Sequence, residues 1–120
     1  MNLDISEYKG VTIAEISSNE IVIKSVDEAL DLIGNSGYLG ADRIILQEKN
    51  LHPDFFDLKT KLAGEILQKF SNYNMRLAIV GDFGKFESKN LRDFIAESNK
   101  IGRVIFTANI EEARRLITLR

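Results

Sequence analysis

The chain has 120 residues, 44% apolar and 28% charged, room for one hydrophobic core and little else, since domains commonly run to about 100–150 residues. It has no cysteine and one histidine, which excludes a disulfide scaffold, a cysteine nucleophile and thiolate metal sites. Sixteen basic against eighteen acidic residues give a net charge of −2, with no bulk attraction to nucleic acid or anionic membrane.

At the start, MNLDISEYKG carries acidic residues where a secretory signal would carry positive charge and an apolar stretch. Leu3 and Ile5 alternate with polar neighbours, Lys9-Gly10 turns the chain, and Val11, Ile13 and Ile16 form a second extended run. Alternation of this kind fits a strand with one solvated face, so the segment predicts an N-terminal hairpin. Ser17-Ser18-Asn19 is a turn cluster, followed by the short β-branched segment Ile21-Val22-Ile23.

Ser25 with Glu28 three residues on is a capping-box signature. Val26, Ala29, Leu30 and Ile33 then fall on one helical face, and Gly34-Asn35-Ser36-Gly37 is expected to end that helix. Ile44-Ile45-Leu46, Leu77-Ala78-Ile79-Val80 and Val104-Ile105-Phe106 are short continuous apolar runs, suited to strands buried on both faces. The longest of them is four residues, against roughly 20 for a membrane span.

Between the first two runs, Leu58, Leu62, Ile66 and Phe70 predict a helix from about Pro53 to Ser71. Between the second and third, Leu91, Phe94, Ile95 and Ser98 predict another behind a Ser88 cap. A last helix follows an Asn109 cap, with Glu112 three residues on, through Ala113, Leu116 and Ile117.

Strands alternating with helices imply right-handed crossovers and a mostly parallel sheet, with the hairpin adding an antiparallel edge and helices on the sheet faces. The expected fold is therefore α/β, one domain over residues 1–120. Charge divides unevenly along it: residues 1–60 carry net −6 and residues 61–120 net +4. In one compact domain such halves interleave into a mixed surface. A basic face for nucleic acid would need Arg103, Arg114, Arg115 and Arg120 on one side, and no nucleic-acid partner is expected.

Ligands of open α/β sheets gather at the carboxyl ends of the parallel strands. That rim would carry the segments from Gln47 to Phe56, Gly81 to Ser88 and Thr107 to Asn109, with Glu48, Asn50, His52, Asp54, Asp82, Lys85 and Ser88 among their polar residues. It also holds Phe55, Phe56, Phe83 and Phe86. These four rings either fold inward to seal the core or form an apolar contact surface for a partner protein or greasy ligand.

Other chemistries find little support. His52 precedes Pro53, which favours extended geometry, and no tight spacing joins it to Glu48, Asp54 and Asp82 as a metal site. No G-x-S-x-G elbow is present, and Ser88 is explained by capping. Asp82-Phe83-Gly84 matches the metal-holding triplet of kinases without any other kinase signature. Gly34 to Gly40 follows a helix and precedes a strand, the reverse of a phosphate loop. Lys85 and Lys89 flank the helix start at Ser88, where an anion could bind, although Lys89-Asp93 is also an ordinary i,i+4 pair. Gly64, in mid-helix, predicts close approach of another backbone, a ligand or a partner.

Two blocks carry a family resemblance: Phe55-Phe56-Asp57-Leu58 through Leu62 to Phe70 and on to Leu77 to Phe83, and Ser88-Lys89 with Leu91 to Ile95 and Glu97-Ser98-Asn99. Over essentially the whole chain the sequence resembles a bacterial domain-of-unknown-function family, number 4180, a resemblance that implies no activity. The element order also resembles the anti-sigma-factor-antagonist (STAS) fold, which implies a regulatory module docking a protein or small ligand. That fold carries a phosphorylatable hydroxyl after a central strand. The corresponding stretch here, Glu48 to Phe56, has no Ser or Thr, and the first is Thr60, which sets a phosphorylation switch in doubt.

The expectation is a cytoplasmic, non-catalytic binding or regulatory module without cofactor or metal. Its contact surface would be Phe55, Phe56, Phe83 and Phe86, with Asp82, Lys85 and Ser88 adding polar specificity. A protein partner is expected, and homo-oligomerisation stays open. The alternative is a small-molecule (apolar or anionic ligand) binding domain or modest enzyme with a pocket at the same rim, using Glu48, His52 and Asp82 as acid-base groups.

Overall fold

A computed structural model describes residues 2–119. It contains β1 (Leu3–Tyr8), β2 (Val11–Ile16), α1 (Val26–Tyr38), β3 (Arg43–Gln47), α2 (Leu62–Asn72), β4 (Arg76–Val80), α3 (Lys89–Ile101), β5 (Val104–Thr107) and α4 (Ile110–Ile117). The strands lie in the order β1-β2-β3-β4-β5. The first pair is antiparallel and the other three are parallel. The α/β sheet with its antiparallel N-terminal hairpin is thus as expected. Lys9 and Gly10 both take positive φ, 51° and 80°, the geometry of a tight hairpin turn.

Because each strand is laid beside the last in one direction, crossovers of one hand put α1, α2 and α3 on the same face. Side chains alternate accordingly. Ala14, Ile44, Leu46, Leu77, Ile79, Val104 and Phe106 join Leu32, Ile66 and Phe70 in the larger core. Ile13, Ile45, Ala78 and Ile105 point the other way, where Ala113 and Ile117 of α4 cover them. No helix of the described residues is long and apolar enough to cross a membrane.

Two element boundaries differ from the sequence expectation. α1 does not stop at Gly34-Asn35-Ser36-Gly37 but runs to Tyr38. Ser36 is fully buried one turn beyond Leu32 and Ile33, so packing holds the helical frame through weak helix formers. The left-handed residue is Gly40, at φ +89°, and the Ala41 N–H closes the end by donating to the Ser36 carbonyl at 2.9 Å.

The helix expected from Pro53 to Ser71 is instead two 3-10 turns, Pro53–Phe56 and Leu58–Thr60, before α2 begins at Leu62. Lys61 interrupts it at φ 65°. Local side chains compete with the helix for backbone groups: the Thr60 hydroxyl donates to the carbonyls of Asp54 and Asp57 at 2.6 and 2.8 Å, and the Asp57 carboxylate accepts from the Lys59 N–H at 3.2 Å. The helix caps at Ser88 and Asn109 form as expected, accepting from Leu91 and Glu112 N–H at 3.2 and 2.8 Å.

The charged halves do interleave. Glu15 of β2 pairs with Arg114 of α4 at 2.9 Å, and Lys85 pairs with Glu48. The hydrogen bond it donates to Glu15 is the main reason the Arg114 guanidinium sits above its ordinary pKa. Arg115 pairs with Glu112 at 2.8 Å, and Arg120 lies outside the described residues.

Candidate functional site: the aromatic rim

The segments after β3 and β4 converge at the carboxyl end of the sheet. Phe55 descends into the core, 1% exposed, and touches Phe106 of β5 at 6.4 Å between ring centroids. It therefore supports the surface from below. Phe56, Phe83 and Phe86 are half-buried. Phe56 stacks on Phe86 at 5.0 Å and lies 6.1 Å from Phe83, while Phe83 meets Phe106 edge-on at 5.2 Å. Offset and edge-to-face pairs of this kind add about 0.5–1.5 kcal/mol each beyond their burial. The rings thus both seal the end of the core and leave a rigid, partly exposed aromatic face.

Glu48 organises the polar border of this face. Its carboxylate accepts from the Asp82 N–H at 3.3 Å and pairs with the Lys85 ammonium. Lys85 in turn lies 5.4 Å from the Phe86 ring centroid, a cation–π placement. The Glu48 side chain crosses directly over Gly81, where an added Cβ would stand 2.7 Å from the Glu48 Cβ. Asp82 is exposed and accepts from the Gly84 N–H at 3.2 Å, shaping the turn that presents Phe83 and Phe86.

Ser88 is exposed and engaged as the α3 cap. Lys89 is committed to Asp93 at 2.8 Å, and that hydrogen bond raises its pKa. The cap therefore carries no unshared lysine at position 89.

The acid-base candidates are not brought together. His52 Nδ1 accepts from the Asp54 N–H at 3.0 Å, two residues along its own turn. Glu48 is held by Lys85 and the Asp82 backbone. No hydrogen bond joins His52 to Glu48 or Asp82 among the described residues. Cavities of about 840, 550 and 370 Å³ lie against α2, α3 and α4, and none of these three is lined by Glu48, His52 or Asp82. No cluster of three or more His, Asp or Glu suited to a metal occurs among the described residues. Thr60 spends its hydroxyl on the turn before α2.

One organising residue was not legible as such. Asn50 reads as a polar rim residue, yet it is 0% exposed. Its carboxamide donates to the carbonyls of Ser18 and Glu20, both at 2.9 Å, and accepts from the Gln47 N–H at 2.8 Å. Its own carbonyl accepts from Val22 and Ile23 at 2.8 and 3.0 Å. Asn50 thereby pins the segment after the hairpin beneath the loop that carries Phe55 and Phe56. Its neighbours in sequence do not distinguish it from a solvated loop asparagine, because all its partners but Gln47 come from some thirty residues upstream.

A family model described as "Domain of unknown function (DUF4180)" matches residues 8–117. Among curated proteins, none matches the sequence.

Proposed function

The chain belongs to the domain-of-unknown-function family DUF4180, and on that premise we propose that it is a non-catalytic binding module acting in the cytoplasm. Its contact surface is the face formed by Phe56, Phe83 and Phe86, bordered by Asp82, Lys85 and Ser88. The observation that carries this reading is the stacking of Phe56 on Phe86 beside Phe83, three half-buried rings from two separate loops held over a buried Phe55. Pre-ordered aromatic anchors ringed by polar groups are what tight protein interfaces use, because little side-chain entropy remains to be lost on binding. The STAS-like element order supports a docking role of the same kind. The engagement of Glu48 and His52 in separate local contacts favours recognition over acid-base chemistry.

The test is affinity capture from a bacterial cytoplasm with the wild-type chain, with Phe86→Asp, and with Arg115→Gln on the opposite side of the sheet as a control. A species retained by wild type and Arg115→Gln but lost with Phe86→Asp supports the rim. Identical retention by all three, with Phe86→Asp folded by circular dichroism, refutes it.

A further inference from the structure

A second feature lies far from the aromatic rim. Arg43 and Arg76 open β3 and β4, and Arg103 immediately precedes β5, so three guanidinium groups stand in a row at the amino end of the sheet. Two of the three have structural duties. Arg43 pairs with Asp42 at 2.6 Å and donates to the Ile117 carbonyl at 3.1 Å. Arg76 donates to the carbonyls of Gly102, at 3.0 Å, and Leu119. Arg103 is left over: Nη2 donates to Asn74 Oδ1 at 3.2 Å, while Nη1 is closed off from solvent without an acceptor.

Arg76 and Arg103 line one groove of about 840 Å³ that runs along the outer edge of β5 between α3 and α4. Neither pairs with a carboxylate among the described residues, although acids outnumber bases in the chain. The groove's acidic residue, Glu112, is paired with Arg115 at 2.8 Å. Burial, followed by repulsion from Arg43 and Arg103, pushes the Arg76 pKa down, as expected where positive charge lacks compensation. Partly desolvated guanidinium groups held on neutral acceptors carry an energetic deficit that an anion would relieve. Ile105, Phe106, Leu116 and Leu119 give its walls an apolar stretch, shared with the polar Asn99 and Asn109. Its volume falls within the roughly 300–1,000 Å³ typical of small-molecule sites.

We propose that this groove binds a small organic oxyanion. The carboxylate or phosphate head sits where Arg103 lines the groove, in the field of Arg76, compensating the closed-off Nη1 through space, and an apolar body lies along β5. The arginine end of the groove lies at the opposite end of the sheet from Phe56, Phe83 and Phe86, so neither reading depends on the other.

The experiment is a titration of the ¹⁵N-labelled full chain with sodium phosphate, acetate and octanoate at constant ionic strength, followed by NMR. Saturable shifts centred on Asn99, Gly102, Phe106 and Leu116 are expected, with phosphate and octanoate competing. Octanoate should bind at least about tenfold tighter than acetate because it buries methylenes. Arg103→Gln should weaken both phosphate and octanoate by about tenfold or more, the loss expected for a hydrogen bond to a charged group. Non-saturable shifts, shifts centred on Lys85 and Lys89, or unchanged affinity in Arg103→Gln would overturn the proposal. Octanoate no tighter than acetate overturns the apolar-body assignment. Should Arg103→Gln fail to fold, the competition on the wild-type chain decides, and absence of competition overturns the site.

Discussion

Two glycines make opposite demands on this chain. Gly64 sits inside α2, where the sequence suggests that something packs closely against it. The structure corrects this for the chain's own packing: no atom of another element lies within 4 Å of where its Cβ would stand. Within the chain itself the residue therefore gains nothing from lacking a side chain and carries the entropic cost of glycine in a helix. Gly64→Ala should stabilise the domain by about 0.5–1 kcal/mol. Gly81 directly follows β4 and looks unremarkable in the sequence, yet a Cβ there would stand 2.7 Å from both Cβ and Oε1 of Glu48. Gly81→Ala must displace Glu48 from Asp82 and Lys85, and should cost about 1–3 kcal/mol, the usual range for overpacking. Urea denaturation of the two variants checks the pair through the direction in which each midpoint moves. Equal shifts would show that Glu48 swings aside freely. The sequence could not distinguish these glycines because the deciding neighbour of Gly81 comes from a loop more than thirty residues away.

At the scale of elements, the outer edge of β5 shows how the sheet avoids open-ended pairing. Phe106 directs its N–H and C=O away from β4, and the Asn99 carboxamide meets both, accepting at 2.7 Å and donating at 3.3 Å. The Ser98 hydroxyl donates to the neighbouring outward carbonyl, Val104, at 2.5 Å. α3 thus supplies the edge with side-chain partners in place of a sixth strand, since a bare edge invites pairing with another chain. Asn99→Ala should lower stability by only about 1 kcal/mol, because water can replace an exposed amide. It should nevertheless raise the tendency to self-associate, read by light scattering against concentration. A variant that stays monomeric would mean that α3 shields the edge sterically rather than through Asn99.

The elements themselves were largely legible. Period-2 alternation marked β1 and β2, short continuous apolar runs marked β3 to β5, and Ser88 and Asn109 marked the helix starts, because these signals are local. What was hidden depended on distance. Ser36 carries α1 past Gly34 by being buried, Thr60 and Asp57 divert the backbone before α2, and Asn50 reaches the segment from Ser18 to Ile23. The candidate site was half legible in the same sense. The rim residues were identifiable from their place after the strands, but the burial of Phe55 and the stacking of Phe56 on Phe86 were not.

Across the whole molecule, strand order creates an imbalance. With the strands laid out in sequence, three helices share one face, and the other face depends on α4. That helix has eight residues, shorter than the roughly 12–15 at which an isolated helix becomes even marginally stable. It holds by packing and by its carboxyl end. Ala113 and Ile117 are fully buried against Ile13, Ile45, Ala78 and Ile105. Arg43 donates to the Ile117 carbonyl and Arg76 to that of Leu116, at 3.1 and 3.5 Å, favoured by the negative end of the helix dipole. The leftover Arg103 beside this anchor is what makes the groove at the β5 edge basic. Stability of the second face therefore rests heavily on Ile117, and Ile117→Ala should cost about 2–5 kcal/mol. Against a typical domain stability of about 5–15 kcal/mol, that loss should loosen α4 before the larger core melts. The expected signature is faster amide exchange confined to α4, with increased binding of a hydrophobic dye to the uncovered strand face. Uniformly faster exchange throughout the chain would instead show that both faces of the sheet unfold as one cooperative unit.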